Sequence, residues 1–372
     1  MRGLAVAAIA LGLVAVSIRW GSFVAGGSDS YCYAHQAERW ADVLARPWSA
    51  HLQVAEPLAR EAPWPDADET LAPTGHIASR TLPGAIVPIC PAGLSILMAP
   101  LLMIGGRQAI FLLIPLFGAL LVVATYLAGS RFGGRIGVAA AALVACNPIV
   151  LYQVVQPMSD VPAAAMWMLA IAWATGAKPR DALLAGLAAS VAILIRPNLV
   201  VLGFVIGAFL LFRPERSWQQ RARGAVTYAL ACVPGCLAVA LIQQSLYGSA
   251  FASGYGGFET LFATEHIGPN TQRYLAWLWQ SQTPALALAA LAPVLIPGPL
   301  TAIFVAMFVA NLAIYLPYVV FEDWSFTRFL LPTIPLVLIL LVAVIDAIIA
   351  RLVWTRSARS VTYRRPFTLA IV

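Results

Sequence analysis

The sequence has few charged residues, and this scarcity excludes a water-soluble fold. Charged side chains make up 10% of its 372 residues, whereas hydrophobic residues make up 61%. A soluble protein carries roughly 25% charged residues, so this chain cannot cover its surface with groups that water solvates. Lipid must cover that surface instead. The composition therefore predicts an all-α, polytopic membrane protein, a bundle of transmembrane helices.

The sequence also lacks the signatures of nucleotide-dependent and metal-dependent enzymes. It has no P-loop, no dinucleotide-binding glycine fingerprint and no soluble domain with an Asp-x-Asp nucleotide-sugar signature, which argues against a nucleotide donor. None of its five cysteines has a convincing metal-binding spacing. Cys32 and Cys90 could form a disulfide if both lie in an oxidising compartment.

Most basic residues stand in short breaks between apolar runs, so the formal charge of +7 indicates membrane orientation rather than nucleic-acid binding. The basic groups at 131–135, 178–180, 213–223 and 351–365 are assigned to the cytoplasm. The segment 26–83 has eight acidic and four basic residues, which predicts that it lies outside. The apolar runs occupy 4–25, 86–104, 108–130, 136–156, 161–177, 182–195, 198–212, 225–247, 284–298, 300–320 and 329–350.

This orientation limits which apolar runs can cross the membrane. Two runs lie between the outer segment 26–83 and the basic group at Arg131, although an odd number of crossings is required. The run 86–104 contains three prolines, so we expect it to lie at the membrane surface or to re-enter. A turn at Arg196 must likewise separate two short crossings. The prediction is about ten crossings, with both chain ends in the cytoplasm.

The chain is interpreted as one transmembrane domain, residues 1–350, with two large extracytoplasmic loops, 26–83 and 248–283. The first loop has an amphipathic pattern that predicts juxtamembrane helices. The N-terminus also fits a secretory signal peptide, but the apolar character continues beyond it, which favours an uncleaved first crossing. The tail 351–372 is basic and is expected to end in the start of a further, truncated helix.

Two acidic residues are expected near the outer membrane surface. Asp29 follows the first crossing, and Asp160 opens the fourth. Asp29 could instead be a solvated acid at a helix N-terminus, and Ser159 or Asp160 could simply cap a helix. Ionisable groups this close to a bilayer are costly, however, and tend to be functional. Two carboxylates on one face could provide a general base and an orienting or metal-binding partner.

Two arginines lie on the outer side against the positive-inside trend, namely Arg196 and Arg328. Guanidinium groups bind phosphate through paired hydrogen bonds, so a phosphate at the outer leaflet would explain both. The alternatives are a salt bridge from Arg328 to Glu322 or Asp323, and snorkelling of Arg196. The loop 248–283 adds weaker candidates for a sugar-binding or lid role, which are Tyr255, Glu259 and His266.

Four stretches carry a resemblance to a known family: GGSDSYCYAHQAERW, VPICPAGLSILMAPLLMIGG, NPIVLYQVVQPMSDVP and RFLLPTIP. Their order and spacing resemble the GT-C glycosyltransferases, membrane enzymes that use polyprenyl-phosphate sugars and include protein O-mannosyltransferases and lipid A aminoarabinose transferases. The resemblance implies that Asp29 is the catalytic base or metal partner and Asp160 the second acid. It implies that basic residues hold the carrier phosphate, for which Arg196 and Arg328 are the candidates. Unlike many relatives, the chain has no paired acids at Asp29 and no large C-terminal soluble domain.

The resulting hypothesis is an inverting glycosyltransferase with an Asp general base, which moves a sugar from a polyprenyl-phosphate carrier to a glycan, lipid or protein acceptor. Its site would face the periplasm or exterior from the cytoplasmic (inner) membrane, with a divalent metal ion left open. No nucleic-acid partner is expected. A transporter or flippase of a polyprenyl-linked glycan is the alternative, because broken helices and intramembrane charges suit that class too. A non-catalytic assembly subunit is a third candidate.

Overall fold

The computed structural model describes residues 1–47, 52, 54, 55 and 72–362, and it shows a helical bundle with one small sheet. The expected helix at the end of the tail lies outside the described residues. The α-helices are α1 Arg2–Trp20, α2 Ser28–Ala45, α3 Ala92–Ala109, α4 Leu113–Gly129, α5 Gly134–Ala145, α6 Pro148–Val154, α7 Asp160–Ala174, α8 Asp181–Ile195, α9 Val200–Phe212, α10 Trp218–Tyr247, α11 Phe258–Leu261, α12 Ile267–Gln282, α13 Ala292–Leu295, α14 Pro299–Tyr315 and α15 Ile334–Thr362. Short 3₁₀ helices occupy Ile110–Leu112, Pro197–Leu199, Thr264–His266, Pro284–Leu291 and Trp324–Leu330.

The described part of the chain contains ten apolar helical elements when α3 and α4 are taken together, and the number of crossings stays a prediction. Four are helices long and apolar enough to span a membrane by themselves, and α5 with α6 forms one further span bent by 58°. Five others are apolar helices of 10–17 residues. Helices this short are below the roughly 20 residues that cross a bilayer at right angles, so the bundle relies on bends and on 3₁₀ extensions to complete its crossings.

The apolar run 86–104 lies beside the first outer segment, as the parity argument predicts. This run forms most of α3. The first turn of α3 contacts α2, where the hydroxyl of Ser95 donates to the backbone oxygen of Tyr33 at 2.9 Å. The other end of α3 is also attached to α2, through an ion pair between Arg107 and Glu38 at 3.3 Å. Since both ends contact the same short helix, α3 packs along α2 at one end of the bundle.

A bend after α3 redirects the chain into the bundle. Gly106 has φ +70°, a conformation that residues with a side chain rarely adopt. The chain then passes through the 3₁₀ turn into α4, where Gly118 approaches the side chain of Leu13 on α1. Under the parity prediction, α4 would be the first crossing after the outer segment.

The predicted turn at Arg196 is present. It connects α8 to α9, and Pro197 begins the 3₁₀ turn that starts the return. Small residues bring this hairpin close to its neighbours, since Gly93 of α3 packs against the backbone of Leu194 and Gly235 of α10 packs against the backbone of Ser190. Such close backbone contact is how apolar helices associate within lipid. It fixes the height of the turn at the outer end of the bundle.

The second outer loop, predicted over 248–283, ends in a helix. Residues 267–282, assigned to the loop 248–283, form the helix α12, and the crossing assigned to 284–298 continues it after a break at Thr283. The amide of Gln282 at the end of α12 bonds the buried amide of Asn147 at the break between α5 and α6. The continuation ends where the Leu295 backbone oxygen accepts a hydrogen bond from Arg351 near the other end of the bundle.

The helix α12 is amphipathic rather than uniformly apolar. Two of its polar side chains, Asn270 and Gln282, bond the interior of the bundle, as where Asn270 donates to the backbone oxygens of Tyr318 and Leu316 at 2.6 and 3.0 Å. The assignment of 248–283 to an outer loop stays a prediction.

A small antiparallel sheet and a disulfide stabilise the first outer segment. The strands β1 Val54–Ala55, β2 His76–Ala78 and β3 Ala85–Pro88 pair in the order β1-β3-β2. Cys32 of α2 is bonded to Cys90, which follows β3, with their Cα atoms 6.1 Å apart. The structure therefore contains the disulfide that the sequence presented as one possibility. It fixes α2, which carries Asp29, to the start of α3.

Candidate active site

A cavity of about 580 Å³ opens at the end of the bundle that carries α2, and it is called the central cavity here. All four principal residues predicted from the sequence line it, which are Asp29, Asp160, Arg196 and Arg328. They come from four separate parts of the chain: the start of α2, the start of α7, the turn between α8 and α9, and the 3₁₀ helix before α15. The prediction that the two acids share one face of the bundle is therefore confirmed.

Asp160 and Arg196 form a buried ion pair in the central cavity. The Asp160 side chain is 2% exposed and the Arg196 side chain 12% exposed. The alternative roles are wrong, because Asp160 bonds a guanidinium instead of capping α7, and Arg196 points into protein instead of snorkelling to water. Ser159 does not cap the helix with its side chain either.

Asp29 and Arg328 form a second and more open ion pair, with 3.3 Å between the Arg328 Nη2 and the Asp29 Oδ2. Asp29 lies in the first turn of α2, which agrees with the alternative that places it at a helix N-terminus. It is not simply a solvated acid, because other side chains contact it. Tyr255 donates a hydrogen bond of 3.4 Å to its other oxygen. Arg328 does not pair with its sequence neighbours, because Glu322 contacts Arg273 at 3.5 Å. The other neighbour, Asp323, accepts from the backbone of Ser325.

One wall of the central cavity consists of aromatic rings. The Phe329 ring stacks on Tyr315 with 4.7 Å between centroids, and Phe321 stacks on Phe326 at 3.8 Å. The guanidinium carbons of Arg196 and Arg328 each lie 5.5 Å from the Phe329 ring centroid. Cation–π contact of this kind orients a guanidinium without neutralising its charge. Both arginines are therefore held against the same ring.

The remaining hydrogen bonds fix the polar groups around these pairs. Tyr33 donates to Ser159 at 2.9 Å, and Asn198 donates to the hydroxyl of Tyr315 at 2.7 Å. Burial, together with the nearby Asp29 carboxylate, raises the pKa of Tyr33 well above its usual value. Its hydroxyl therefore stays protonated and acts as a donor.

Within the described chain, the Nε atom of Arg328 is buried and has no hydrogen-bond partner. A buried donor without a partner is costly. The guanidinium of Arg328 is therefore not fully satisfied by its pairing with Asp29.

The three weaker candidates from the outer loop lie in different surroundings in the structure. Tyr255 lines the central cavity, whereas Glu259 and His266 do not. The Glu259 carboxylate folds back toward Gly257, and a ring nitrogen of His266 bonds the backbone oxygen of Pro317 at 3.1 Å. The structure does not bring Glu259 and His266 into the lining of the central cavity.

The two acids of the cavity could hold a divalent metal ion only by leaving their arginines. In the described ranges no third histidine, cysteine or carboxylate joins Asp29 and Asp160 to complete a group of three metal-ligating side chains. Each carboxylate already contacts an arginine, whose positive charge opposes a cation. Mg²⁺ nevertheless needs only one or two carboxylates when phosphate and water supply its other ligands.

Several cavity residues were missed in the sequence, notably Asn198, Tyr315 and Tyr318. A signal was available for the tyrosines, because the stretch IYLPYVVFEDW concentrates aromatic residues at the outer end of an apolar run. Aromatic residues at that depth are common in membrane proteins and indicate an interface more often than a binding site. Asn198 follows the turn that was recognised, but nothing in the sequence shows that it reaches the hydroxyl of Tyr315.

Comparison with known proteins agrees with this architecture. Residues 88–242 match the family model of dolichyl-phosphate-mannose-protein mannosyltransferase. No curated protein sequence matches the chain significantly. Two solved structures of ArnT from Cupriavidus metallidurans are similar, one bound to undecaprenyl phosphate with a TM-score of 0.62 and one in the apo state with a TM-score of 0.57. In both alignments the identity is 15%, covering 92% of this chain and 59% of ArnT. The comparisons confirm the GT-C fold that the sequence motifs predict.

Proposed function

We propose that this chain, a membrane protein with the GT-C fold, transfers a sugar from a polyprenyl-phosphate carrier to an acceptor hydroxyl. The observation that carries the proposal is the central cavity, where two acid–arginine pairs meet beside an aromatic wall at one end of an apolar bundle. An anionic lipid headgroup needs cationic donors placed beside apolar surface. A hydroxyl nucleophile needs a base within reach of the same ligand.

The carrier phosphate is assigned to Arg196 and Arg328. Both guanidiniums are held against the Phe329 ring, and both arginines line the central cavity. Negative charge on the phosphate increases as its bond to the sugar breaks. Fixed cationic donors in a cavity with little water stabilise that charge more in the transition state than in the ground state. Similarity to a structure bound to undecaprenyl phosphate supports a carrier of the same chemical class.

Asp29 is assigned as the general base. Its carboxylate would accept the proton of the acceptor hydroxyl while the hydroxyl oxygen forms a bond to the anomeric carbon. The bond between that carbon and the phosphate oxygen breaks, and its electron pair leaves with the polyprenyl phosphate. One displacement of this kind inverts the configuration at the anomeric carbon. The Asp29 side chain is partly exposed, and each of its oxygens, although contacted by Arg328 or Tyr255, can accept a further hydrogen bond.

Asp160 is given a positioning role. The sequence suggested that it orients the acceptor or helps to bind a metal ion, but its carboxylate is enclosed with Arg196. A buried carboxylate bonded to a guanidinium keeps that guanidinium charged and fixed in direction. We therefore assign to Asp160 the orientation of Arg196 toward the carrier phosphate.

The site is assigned to the extracytoplasmic face of the cytoplasmic membrane. The disulfide Cys32–Cys90 belongs to the same outer segment as Asp29, and disulfides persist in oxidising compartments. The opposite end of the bundle is basic, as where Arg213 and Arg216 both donate to the backbone oxygen of Gly176. This distribution follows the positive-inside rule.

The test uses the purified full chain with a panel of polyprenyl-phosphate sugars and follows release of the free lipid phosphate. We expect release with at least one donor, and its loss in Asp29→Asn. The matched control is Asp42→Asn on the same helix, which removes an acid that pairs with Arg39 and Arg46. The same proteins in vesicles report carrier movement. Movement that survives Asp29→Asn, without any sugar transfer in the unchanged protein, would favour a flippase.

A further inference from the structure

The 3₁₀ helix that carries Arg328 runs into a proline, which interrupts its backbone hydrogen bonds. In a 3₁₀ helix each carbonyl oxygen accepts from the N–H three residues later. The N–H of Thr333 donates in this way to the carbonyl oxygen of Leu330 at 3.0 Å. The carbonyl oxygen one residue earlier, that of Phe329, would accept from position 332. That position is Pro332, which has no N–H, so the Phe329 oxygen needs another donor.

The amide of Asn311 supplies this donor from the neighbouring helix α14. Its Nδ2 donates to the carbonyl oxygen of Phe329 at 3.2 Å and to the hydroxyl of Thr333 at 3.0 Å. That hydroxyl in turn donates to the carbonyl oxygen of Leu330 at 3.2 Å. One side chain of α14 therefore closes the turn that Pro332 leaves open.

Asn311 is a costly residue for the core of an apolar bundle. It is 0% exposed, and apart from Thr301 and the terminal Tyr315 every other side chain of α14 is apolar. Within the described chain, its Oδ1 atom is buried and has no hydrogen-bond partner. The cost of that unsatisfied atom offsets what the two hydrogen bonds contribute. A gain in stability therefore does not explain why an amide stands here.

Helix α14 contacts Phe329 at two points. Asn311 bonds its backbone, and Tyr315, one helical turn further along α14, stacks on its ring with 4.7 Å between centroids. The ring lines the central cavity, where the guanidinium carbons of Arg196 and Arg328 each lie 5.5 Å from its centroid. Asn311 itself does not belong to the lining of that cavity. Any effect of Asn311 on the site must therefore pass through Phe329 and its turn.

We propose that Asn311 is a positioning residue for the two arginines of the candidate active site and that it acts through Phe329. The inference rests on the proposed transferase function, because it concerns how the carrier phosphate is held. The hydrogen bond to the Phe329 carbonyl fixes the turn, and the turn fixes the ring. A ring that keeps its place also keeps the direction of the guanidiniums that lie against it. Small errors in such a direction weaken the hold on a reacting group.

The test removes the amide and then returns a donor to the backbone. Asn311→Leu keeps a side chain of similar size but has no N–H to donate. Adding Pro332→Ala provides an N–H three residues after Phe329. The matched control is Thr301→Val at the other end of α14, which removes a buried hydroxyl that bonds the backbone oxygen of Ile296 at 2.6 Å. The measurements are the donor KM, from release of lipid phosphate, and the melting temperature in detergent.

We expect Asn311→Leu to raise the donor KM roughly threefold to tenfold, the range for loss of one neutral hydrogen bond. Asn311→Leu combined with Pro332→Ala should return the KM to the level of Pro332→Ala alone. Thr301→Val should lower the melting temperature without changing the donor KM. Asn311→Ala is measured alongside, so that the result does not depend on the folding of one variant. A donor KM in the Asn311 variants equal to that of Thr301→Val, or no recovery on adding Pro332→Ala, would each overturn the proposal.

A spectroscopic measurement separates this proposal from the transferase proposal. The label 4-fluorophenylalanine in place of Phe329 reports the surroundings of the ring by fluorine NMR, whether or not any donor is consumed. We expect one sharp resonance with Asn311 present, a shifted or broadened one in Asn311→Leu, and recovery on adding Pro332→Ala. This pattern without any turnover supports the positioning of the ring and rejects the transferase. The same resonance in all variants, while the unchanged protein consumes a donor, rejects the positioning role and leaves the transferase function standing.

Discussion

The two acid–arginine pairs have the same chemistry but different surroundings. Asp160 and Arg196 are enclosed where α7 meets the turn between α8 and α9, and Asp160 is 2% exposed. Asp29 and Arg328 line the central cavity, and Asp29 is 28% exposed. The first pair joins parts of the bundle that pack directly on each other. The second joins the outer helix α2 to the 3₁₀ helix before α15, far apart in sequence.

The difference in exposure indicates that the two carboxylates have different roles. A carboxylate that must exchange a proton with a substrate needs an accessible oxygen, which Asp29 has. A carboxylate that only orients a cation is most effective when water cannot compete for it, and this describes Asp160. We therefore expect changes at Asp29 to affect turnover, and changes at Asp160 to affect stability as well.

The largest expected effect is that of Asp29→Asn on turnover. An amide has nearly the same shape but cannot accept the proton, so the rate should fall by roughly 10²–10⁴-fold. The melting temperature should change little, because Asp29 is partly solvated. The measurement is release of lipid phosphate alongside thermal unfolding in detergent. A rate within the range of the Asp42→Asn control would reject Asp29 as the base.

A second prediction concerns stability and distinguishes the buried pair. Asp160→Ala leaves the Arg196 guanidinium buried without its partner, which should reduce the free energy of unfolding by about 3–5 kcal/mol. Replacing both residues, as in Asp160→Leu with Arg196→Met, should restore most of the stability while activity stays lost. Thermal unfolding of both variants is compared with the unchanged protein. Equal melting temperatures for the single and double variants would contradict the interpretation as a pair.

Arg328→Lys should have an intermediate effect, mainly on donor binding. Lysine keeps the charge but loses the fork and the stacked contact with Phe326 and Phe329. One hydrogen bond to a charged group contributes ~1.5–3 kcal/mol, so the KM for the donor should rise roughly tenfold to a hundredfold. The control is Arg273→Lys, which changes an arginine at the rim paired with exposed Glu322. Equal donor KM values for the two variants would remove Arg328 from the phosphate site.

The smallest expected effect is that of a chelator. Since both acids are paired with arginines, EDTA should leave the release of lipid phosphate unchanged. The assay compares the rate in EDTA with the rate after addition of Mg²⁺ or Mn²⁺. Loss of activity in EDTA that a divalent ion restores would contradict this prediction. It would show that an arginine leaves its carboxylate when the substrate binds.

The helices that could be predicted from the sequence are those with the strongest hydrophobic pattern. Uniformly apolar stretches such as α4 and α14 were located correctly because any such segment must enter lipid. Counting charges predicts that the run 86–104 does not cross, since the positive-inside rule constrains parity. The helix α12, inside the predicted loop 248–283, was not foreseen. Its Asn270 and Gln282 bond distant parts of the chain, and such partners leave no local trace.

The sequence showed which residues line the candidate site but not how they pair with one another. Charges at the outer membrane surface are unusual enough that Asp29, Asp160, Arg196 and Arg328 could be selected without a structure. Which acid pairs with which arginine was not visible, and the neighbouring acids proposed for Arg328 were incorrect. Glu259 and His266 show the limit of selecting residues by type alone, because polar side chains in loops are common.

The sequence by itself predicted that the chain lies in lipid and that its unusual charges gather at one end of the bundle. These predictions follow from hydrophobicity and charge, which act residue by residue. Tertiary structure alone decided that Asp160 is enclosed while Asp29 stays partly exposed. Exposure and pairing depend on side chains up to 299 positions apart, as for Arg328 and Asp29, and only packing of the bundle brings them into contact.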